Sequence, residues 1–464
     1  MAGVFGAFSY DDNQNIVDIT DIGLRFLQTR GQESGGMSVG SNKYLKTYKG
    51  KGKVDDIFNQ KILKIIDSPS IYSSIGQVRS FKIKDADKIE PVELEEDNFK
   101  ISVVMDGKLF EQDKFSKYNV DSEESTELFG KIFLKYMTET KKTNKAAKKT
   151  MIDLNNGYYS AVILVNDGKK TKEIGIRDKT GLKPFCIGKT GNTYILSSES
   201  FAFTGSINGE LVRDVRPGEI IEFNPKNLEF KSEQIIEPKP RHCAFEYNYY
   251  ANRASVIEGI SVDYVRREIG RKLFELHKGS INKNGKVVPV PDSGRGVSLG
   301  FAKASGMFYD EDIIKNPYAK RTFIIPDEES RLFETSIKYT VVKDAVKGQI
   351  LYVGDDSQVR GTESRYITFL LKVIGGAKEV HFFFGTPPCI ATCQDFLKEG
   401  PKSFIASKYR GKDIQEIGRC VAKEIGADSM MYPTMDMEIE TIGIPREKLC
   451  LACLDGSYPV KITS

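Results

Sequence analysis

The sequence predicts two folded units in series: an α+β sandwich of antiparallel sheets, then an α/β unit built on a parallel, doubly wound sheet. At 464 residues the chain is too long for one ordinary core. Its first half reads as short strands bounded by Gly, Asp and Asn, whereas the second half repeats strand, loop, helix and strand with apolar strands. Between them EPKPRH, Glu237–His242, holds two prolines close together, as an interdomain linker does. The expected division is therefore 1–236 and 237–464.

In the first half the expected strands include Lys100–Met105, Ser160–Val165, Thr193–Ser198 and Glu219–Phe223, interrupted by helices near Ile16–Gln28 and Glu124–Thr138. The lysine-rich run Lys141–Thr150 reads as a solvated helix end or loop. After the linker, an amphipathic helix over roughly Ile257–His277 leads to a strand, Lys286–Pro291, and a small-residue helix, Gly296–Ser305. Strand Gln349–Gly354, a loop, helix Ser364–Ile374 and strand Glu379–Phe384 follow.

Hydrophobic residues make up 40% and charged residues 28%, the composition of a globular protein. Lys plus Arg number 68 against 64 Asp plus Glu, a balance that gives no reason to expect nucleic acid as a partner. No apolar run approaches the ~20 residues of a membrane helix, and the N-terminal stretch lacks signal-peptide character, so a cytoplasmic location is expected. Seven cysteines without a secretion signal argue against a disulfide framework, and three histidines leave little room for a His-based metal site or triad.

The most informative stretch is VGDDSQVRGTES, Val353–Ser364. An apolar strand ends in two adjacent carboxylates, Asp355 and Asp356, followed by the loop Ser357–Thr362 and a helix. Ser357, Gly361 and Thr362 bring small side chains, hydroxyls and open backbone N–H groups, which with the helix dipole form a cradle for a phosphate. The paired acids suit a polyhydroxyl group or Mg²⁺ at the carboxyl end of a strand, where open α/β sheets bind ligands. A helix-capping turn is the bland alternative, and the full strand–DDS–RGT–helix pattern disfavours it.

These residues resemble the signature of the phosphoribosyltransferases. VPVPDSGR, Val288–Arg295, is similar to the pyrophosphate loop of the glutamine phosphoribosylpyrophosphate (PRPP) amidotransferase family, and KNPYAKRTFI, Lys315–Ile324, to its closing loop. The resemblance implies a type I phosphoribosyltransferase unit over about 241–464. It further implies that Asp355 and Asp356 meet the ribose hydroxyls and Mg²⁺, that Ser357, Val359, Arg360, Gly361 and Thr362 hold the 5′-phosphate, and that Asp292, Ser293, Gly294 and Arg295 hold the diphosphate. Lys315 would reach the pyrophosphate, with Arg331 and Lys338 as further basic residues. Three departures are visible: Gln358 and Glu363 in the phosphate loop and Pro317 in the closing loop.

GVFGAF, LQTRGQESGG, RDKTGLKPF and SSES in the first half resemble the class II (Ntn-type) glutamine amidotransferase unit. That unit uses an N-terminal cysteine as nucleophile, but this chain has Ala2, whose methyl group cannot attack an amide. Where the family has Gly-His-x-Arg-Tyr this chain keeps only Arg79, and where it has His-Asn-Gly the chain reads Met105-Asp106-Gly107. Ser125 stands where a substrate-binding aspartate is expected. A carboxylate at Asp106 would repel a developing oxyanion, and loss of a nucleophile costs on the order of 10⁶ in rate. The glutaminase half-reaction is therefore expected to be absent.

Cys450 and Cys453 form a Cys-x-x-Cys pair, a weak signal alone. By resemblance, Cys243 and Cys393 complete the ligands of a four-iron cluster, with Zn²⁺ as the chemical alternative and Cys389 competing with Cys393. Cys186 and Cys420 read as small buried hydrophobes. The resemblance implies formation of 5-phosphoribosylamine from PRPP and ammonia, the first step of purine synthesis. Ammonia would be free or supplied by a glutaminase-competent partner subunit, in a homo- or hetero-oligomer with purine nucleotides as inhibitors. The alternative is a non-catalytic PRPP- or nucleotide-binding regulatory subunit of an active amidotransferase.

Overall fold

Side chains alternate across a strand, and along Ala2–Ser9 that alternation decides how the first half packs. Val4 and Phe8 join one apolar core while Phe5 and Ala7 join another. The computed structural model describes residues 2–10, 14–66, 70–80, 88–121, 124–224, 229–318, 336–393 and 403–460. Ala2–Ser9 lies at the centre of a seven-stranded antiparallel sheet, between Thr193–Ser197 and Ser73–Arg79. A six-stranded antiparallel sheet faces it, ordered Lys231–Gln234, Glu219–Phe223, Thr171–Arg177, Gly157–Asn166, Phe99–Leu109 and Val92–Glu96.

Val4, Phe8, Ile75 and Leu196 of one sheet meet Val104, Val162, Leu164 and Ile221 of the other. Helix Ile16–Leu27 covers the outer face of the first sheet, packing Val17 and Leu24 against Phe5 and Ala7. Helices Ser125–Thr140 and Thr143–Asp153 cover the outer face of the second. The result is a four-layer sandwich. The lysine-rich run, expected as a solvated helix end or loop, caps helix Ser125–Thr140 at Lys141 and then enters helix Thr143–Asp153. Ala146, Ala147, Thr150 and Met151 lie buried at helical spacing, and the lysines occupy the remaining faces of that helix.

In the second half, four parallel strands run in the order Lys286–Pro289, Ile350–Asp355, Glu379–Phe384 and Ser429–Met431. Val287, Tyr352 and Phe383 face one core with helices Val262–His277 and Arg295–Ser305. Val288, Leu351, Val353 and Phe382 face the other, with Ile367, Leu371 and Val421. Both faces are covered, which explains why these strands are continuously apolar. The first helix starts at Val262 rather than Ile257, because Val256–Ile257 and Ile260–Ser261 pair as a small hairpin. The helix after the phosphate loop is α-helical over Thr362–Phe369 and widens to a π-turn over Leu370–Ile374. His242–Cys243 pairs in parallel with Leu449–Cys450, so both ends of the second half meet. No helix of the described residues is long and apolar enough to cross a membrane.

Helices Val262–His277 and Arg295–Ser305 approach closely enough that only glycine fits at the crossing. A Cβ on Gly300 would lie 1.8 Å from the Arg267 carbonyl oxygen, and one on Gly270 would lie 1.9 Å from that of Val297. Overpacking of this kind costs about 1–3 kcal/mol. Gly300→Ala is therefore expected to lower the denaturation midpoint at unchanged m-value; an unchanged midpoint would show that the crossing can relax.

Candidate active site

Strand Ile350–Asp355 is buried along its whole length and delivers Asp355 and Asp356 to the carboxyl edge of the sheet, each 7% exposed. The Asp356 N–H donates to Asp355 Oδ1 at 2.8 Å, Ser357 Oγ donates to Asp356 at 2.6 Å, and Ser293 Oγ also donates to Asp356. Burial, and then the neighbouring Asp356 charge, push the Asp355 carboxyl well above its ordinary range. Gly361 has φ +78°, a left-handed turn that launches helix Thr362–Phe369.

Beside this loop, Asp292 accepts from Lys315 Nζ at 2.5 Å and Arg295 Nη1 at 2.6 Å, while Arg295 also forks onto both oxygens of Glu311 at 2.9 Å. Burial opposes ionisation of Asp292, but Lys315 and Arg295 outweigh it and hold that carboxyl below its usual range. Lys338 Nζ donates to Glu363 Oε1 at 2.9 Å. One cavity of about 860 Å³ is lined by Asp292, Ser293, Arg295, Lys315, Lys338, Asp355, Asp356, Ser357, Val359, Arg360, Gly361 and Thr362. Gly294 lies behind that lining, as the residue preceding helix Arg295–Ser305. Arg331 falls outside the described residues, as does the 315–324 segment beyond Tyr318.

The cavity also gathers residues that sequence reading missed, among them Arg253, Arg266, Tyr339 and Glu311, with Thr29 and Gln32 from the first half. Arg266 carried a readable signal, a charged residue on the apolar stripe of its helix beside Val265 and Ile269. It is 5% exposed, and its guanidinium donates to the carbonyls of Tyr247 (2.8 Å) and Ala251 (2.7 Å). Burial pulls its pKa down to about 10.

Of the residues expected to match a glutaminase site, Ala2, Asp106 and Ser125 are buried, and Arg79 and Gly107 are partly so. The Ala2 N–H donates to Asp106 Oδ1 at 3.1 Å, and Asp106 is paired with Lys183 at 3.3 Å and Arg30 at 3.4 Å. Arg30 is fully buried and also bonds Glu199 and, from the second half, Glu246, each at 2.8 Å. Burial disfavours its charge, but Glu246 and Glu199 more than compensate, and its pKa lies above the ordinary value. Arg79 is held by Glu90 at 2.8 Å, itself buried and bonded to Thr126 and the Met105 N–H. Ser125 Oγ accepts from the Leu109 N–H at 3.1 Å, and Gly107 pairs with Tyr159 within the sheet.

Cys243 and Cys450 are register partners, and Cys393, Cys453 and Cys389 lie in the same neighbourhood. Burial lifts the Cys243 thiol well above its usual range and Cys450 to about 12. These soft thiol donors fit the chemistry of an iron–sulfur cluster or Zn²⁺. Among the described residues, however, no three His, Cys, Asp or Glu side chains stand at metal-site spacing. Cys186 is buried as expected, whereas Cys420 is only partly so.

Removing one partner from a buried ion pair costs about 3–5 kcal/mol, because the remaining charges stay desolvated. Arg30→Met is accordingly expected to lower stability by that order in chemical denaturation. A loss under about 1 kcal/mol would show that Glu199 and Glu246 find other partners.

No protein-family model matches the chain. Amidophosphoribosyltransferase of Methanocaldococcus jannaschii is 34% identical over 100% of this chain and 98% of its own length. The Bacillus subtilis protein of the same name is 29% identical over 99% and 94%. The solved structure of glutamine PRPP amidotransferase from B. subtilis, complexed with ADP and GMP, superposes with a TM-score of 0.83. It is 28% identical and covers 99% of this chain and 98% of that one. The sandwich is thus the class II glutamine amidotransferase fold and the parallel sheet that of the type I phosphoribosyltransferases. With matched folds in both halves and full-length identity above three in ten, the chain belongs to the amidophosphoribosyltransferase family, a class of glycosyltransferases.

Proposed function

We propose that this protein forms 5-phosphoribosylamine from PRPP and ammonia, as at the entry to purine synthesis, without hydrolysing glutamine itself. The observation that carries the synthase reading is the cavity in which the twin aspartates, the Ser357–Thr362 turn, the Asp292–Arg295 loop, Lys315 and Lys338 converge. Ribose would sit over Asp355 and Asp356, its 5′-phosphate on the backbone of the turn and the N-terminus of the following helix. Arg295, Lys315 and Lys338 would face the diphosphate. The ammonia nitrogen attacks C1 as the C1–O bond to pyrophosphate breaks, the electron pair leaves on pyrophosphate, and the new ammonium group then gives up one proton to the departing pyrophosphate or to water. The protein's task is to fix that alignment, exclude water and meet the departing charge with cations already in place. Mg²⁺ held by the two aspartates would add further charge neutralisation.

Against glutamine hydrolysis stand Ala2, the carboxylate of Asp106 beside it, and Arg79 already satisfied by Glu90. Ammonia would then come from solution or a glutaminase-competent partner. The thiols at positions 243, 393, 450 and 453 would hold an iron–sulfur cluster, or Zn²⁺, that fastens the C-terminal segment to the start of a second domain near residue 237. Purine nucleotides, two of which accompany the B. subtilis structure, are the inhibitors to test.

With PRPP, Mg²⁺ and ammonium the purified chain is expected to release pyrophosphate, and with glutamine replacing ammonium to release none. Turnover of glutamine would overturn the silent-glutaminase reading, and PRPP binding without pyrophosphate release would favour the regulatory-subunit alternative. Asp356→Asn and Arg295→Ala are each expected to abolish measurable PRPP binding by calorimetry; unchanged affinity in both would remove the site. Anaerobic preparations are expected to carry iron and sulfide that Cys450→Ser loses, and a colourless, iron-free protein would argue for Zn²⁺ or for no metal.

A further inference from the structure

Glu363 lies in the first turn of helix Thr362–Phe369, just after the phosphate cradle, and lines the cavity. It is tied to the neighbouring hairpin twice. Lys338 Nζ donates to its Oε1 at 2.9 Å, and the Tyr339 hydroxyl donates to the same oxygen. Tyr339 also reaches the Pro291 carbonyl at 3.4 Å, so Glu363 joins the segment before Asp292 to the phosphate turn. The Lys338 ammonium lies 4.7 Å from the Tyr339 ring centroid, which confines it between the ring and the carboxylate. Burial opposes the Glu363 charge, but Lys338 and Tyr339 outweigh it and keep the carboxyl below its usual range. Glu363 is therefore an anion at the mouth of a site built to receive anions.

We propose that Glu363 is a specificity-determining residue: a resident carboxylate that engages Lys338 in place of a ligand's phosphate and so sets the affinity of the PRPP site. This rests on the phosphate-cradle reading above. An incoming phosphate must draw Lys338 away from Glu363 or share it, and in either case meets a like charge at the helix N-terminus that otherwise favours it. A ligand whose charge is partly neutralised by its own Mg²⁺ meets less repulsion, so Glu363 discriminates in favour of the metal complex of PRPP over metal-free phosphates.

Calorimetry with ribose 5-phosphate, and with PRPP with and without Mg²⁺, tests this on the full chain and on Glu363→Gln, Glu363→Thr, Lys338→Met and Glu363→Gln/Lys338→Met. Removing the carboxylate is expected to tighten metal-free ribose 5-phosphate and PRPP by roughly tenfold, and Mg²⁺–PRPP by less. In the Lys338→Met background the gain is expected to shrink to roughly twofold, which a purely structural role for Glu363 would not produce. Unchanged or weaker binding in both single Glu363 variants overturns the proposal. So does an equal gain with and without Lys338, and so does failure of every form to bind ribose 5-phosphate. Absence of ammonia-dependent pyrophosphate release alongside the expected binding shifts would refute the proposed reaction while leaving the role of Glu363 supported.

Discussion

The parallel pairing of Ile350–Asp355 with a strand on each side is the constraint on which the rest of the site depends. Parallel register brings the carboxyl ends of neighbouring strands to one edge, so the loops leaving them must share the same space. Backbone bonds fix that sharing: the Val290 N–H donates to Gly354 O at 2.8 Å and the Gly385 N–H to Asp355 O at 2.9 Å. Because the strand is buried on both faces, Asp355 and Asp356 cannot turn away into water. Their charge has to be met locally, by Ser293, Ser357, backbone N–H groups and whatever cation the cavity receives.

The elements that sequence reading located well are those whose burial is written in local order. Apolar runs such as Leu351–Val353 and Phe382–Phe384, each ending at a turn, announce strands covered on both faces. The acids at 355 and 356 followed by the small residues of the turn announce the edge where a phosphate fits. The Thr143–Asp153 helix was hidden because its lysines dominate the composition while its buried stripe consists mostly of small residues, Ala146, Ala147 and Thr150. Side-chain partnerships between distant segments left no local trace. Arg30 with Glu246, Arg79 with Glu90, and Cys389 beside Cys453 depend on how two halves and a C-terminal segment come together.

Those distant partnerships give the first half a role independent of glutamine. Glu199 binds Arg30 on one side and, on the other, accepts from the Asn252 N–H at 2.7 Å and Ser255 Oγ at 2.8 Å. Glu246 and Asn252 belong to the stretch that supplies Phe245, Tyr249, Tyr250 and Arg253 to the cavity wall. A buried ionic knot of Arg30, Asp106, Glu199 and Glu246, with the Ala2 N–H bonded to it, therefore supports one wall of the site. Each of these charges is another's desolvated counter-ion, so removal of one strands the rest.

The meeting of His242–Cys243 with Leu449–Cys450 has a consequence for biosynthesis. A strand partner encoded some two hundred residues downstream reaches the ribosome exit long after its mate. Until Leu449 and Cys450 emerge, Cys243 waits without its neighbour, and the seam that the thiols share closes only after the whole intervening stretch has been translated. Whatever chemistry those sulfurs acquire thus follows the synthesis of every residue that lines the cavity, the last of which is Phe384.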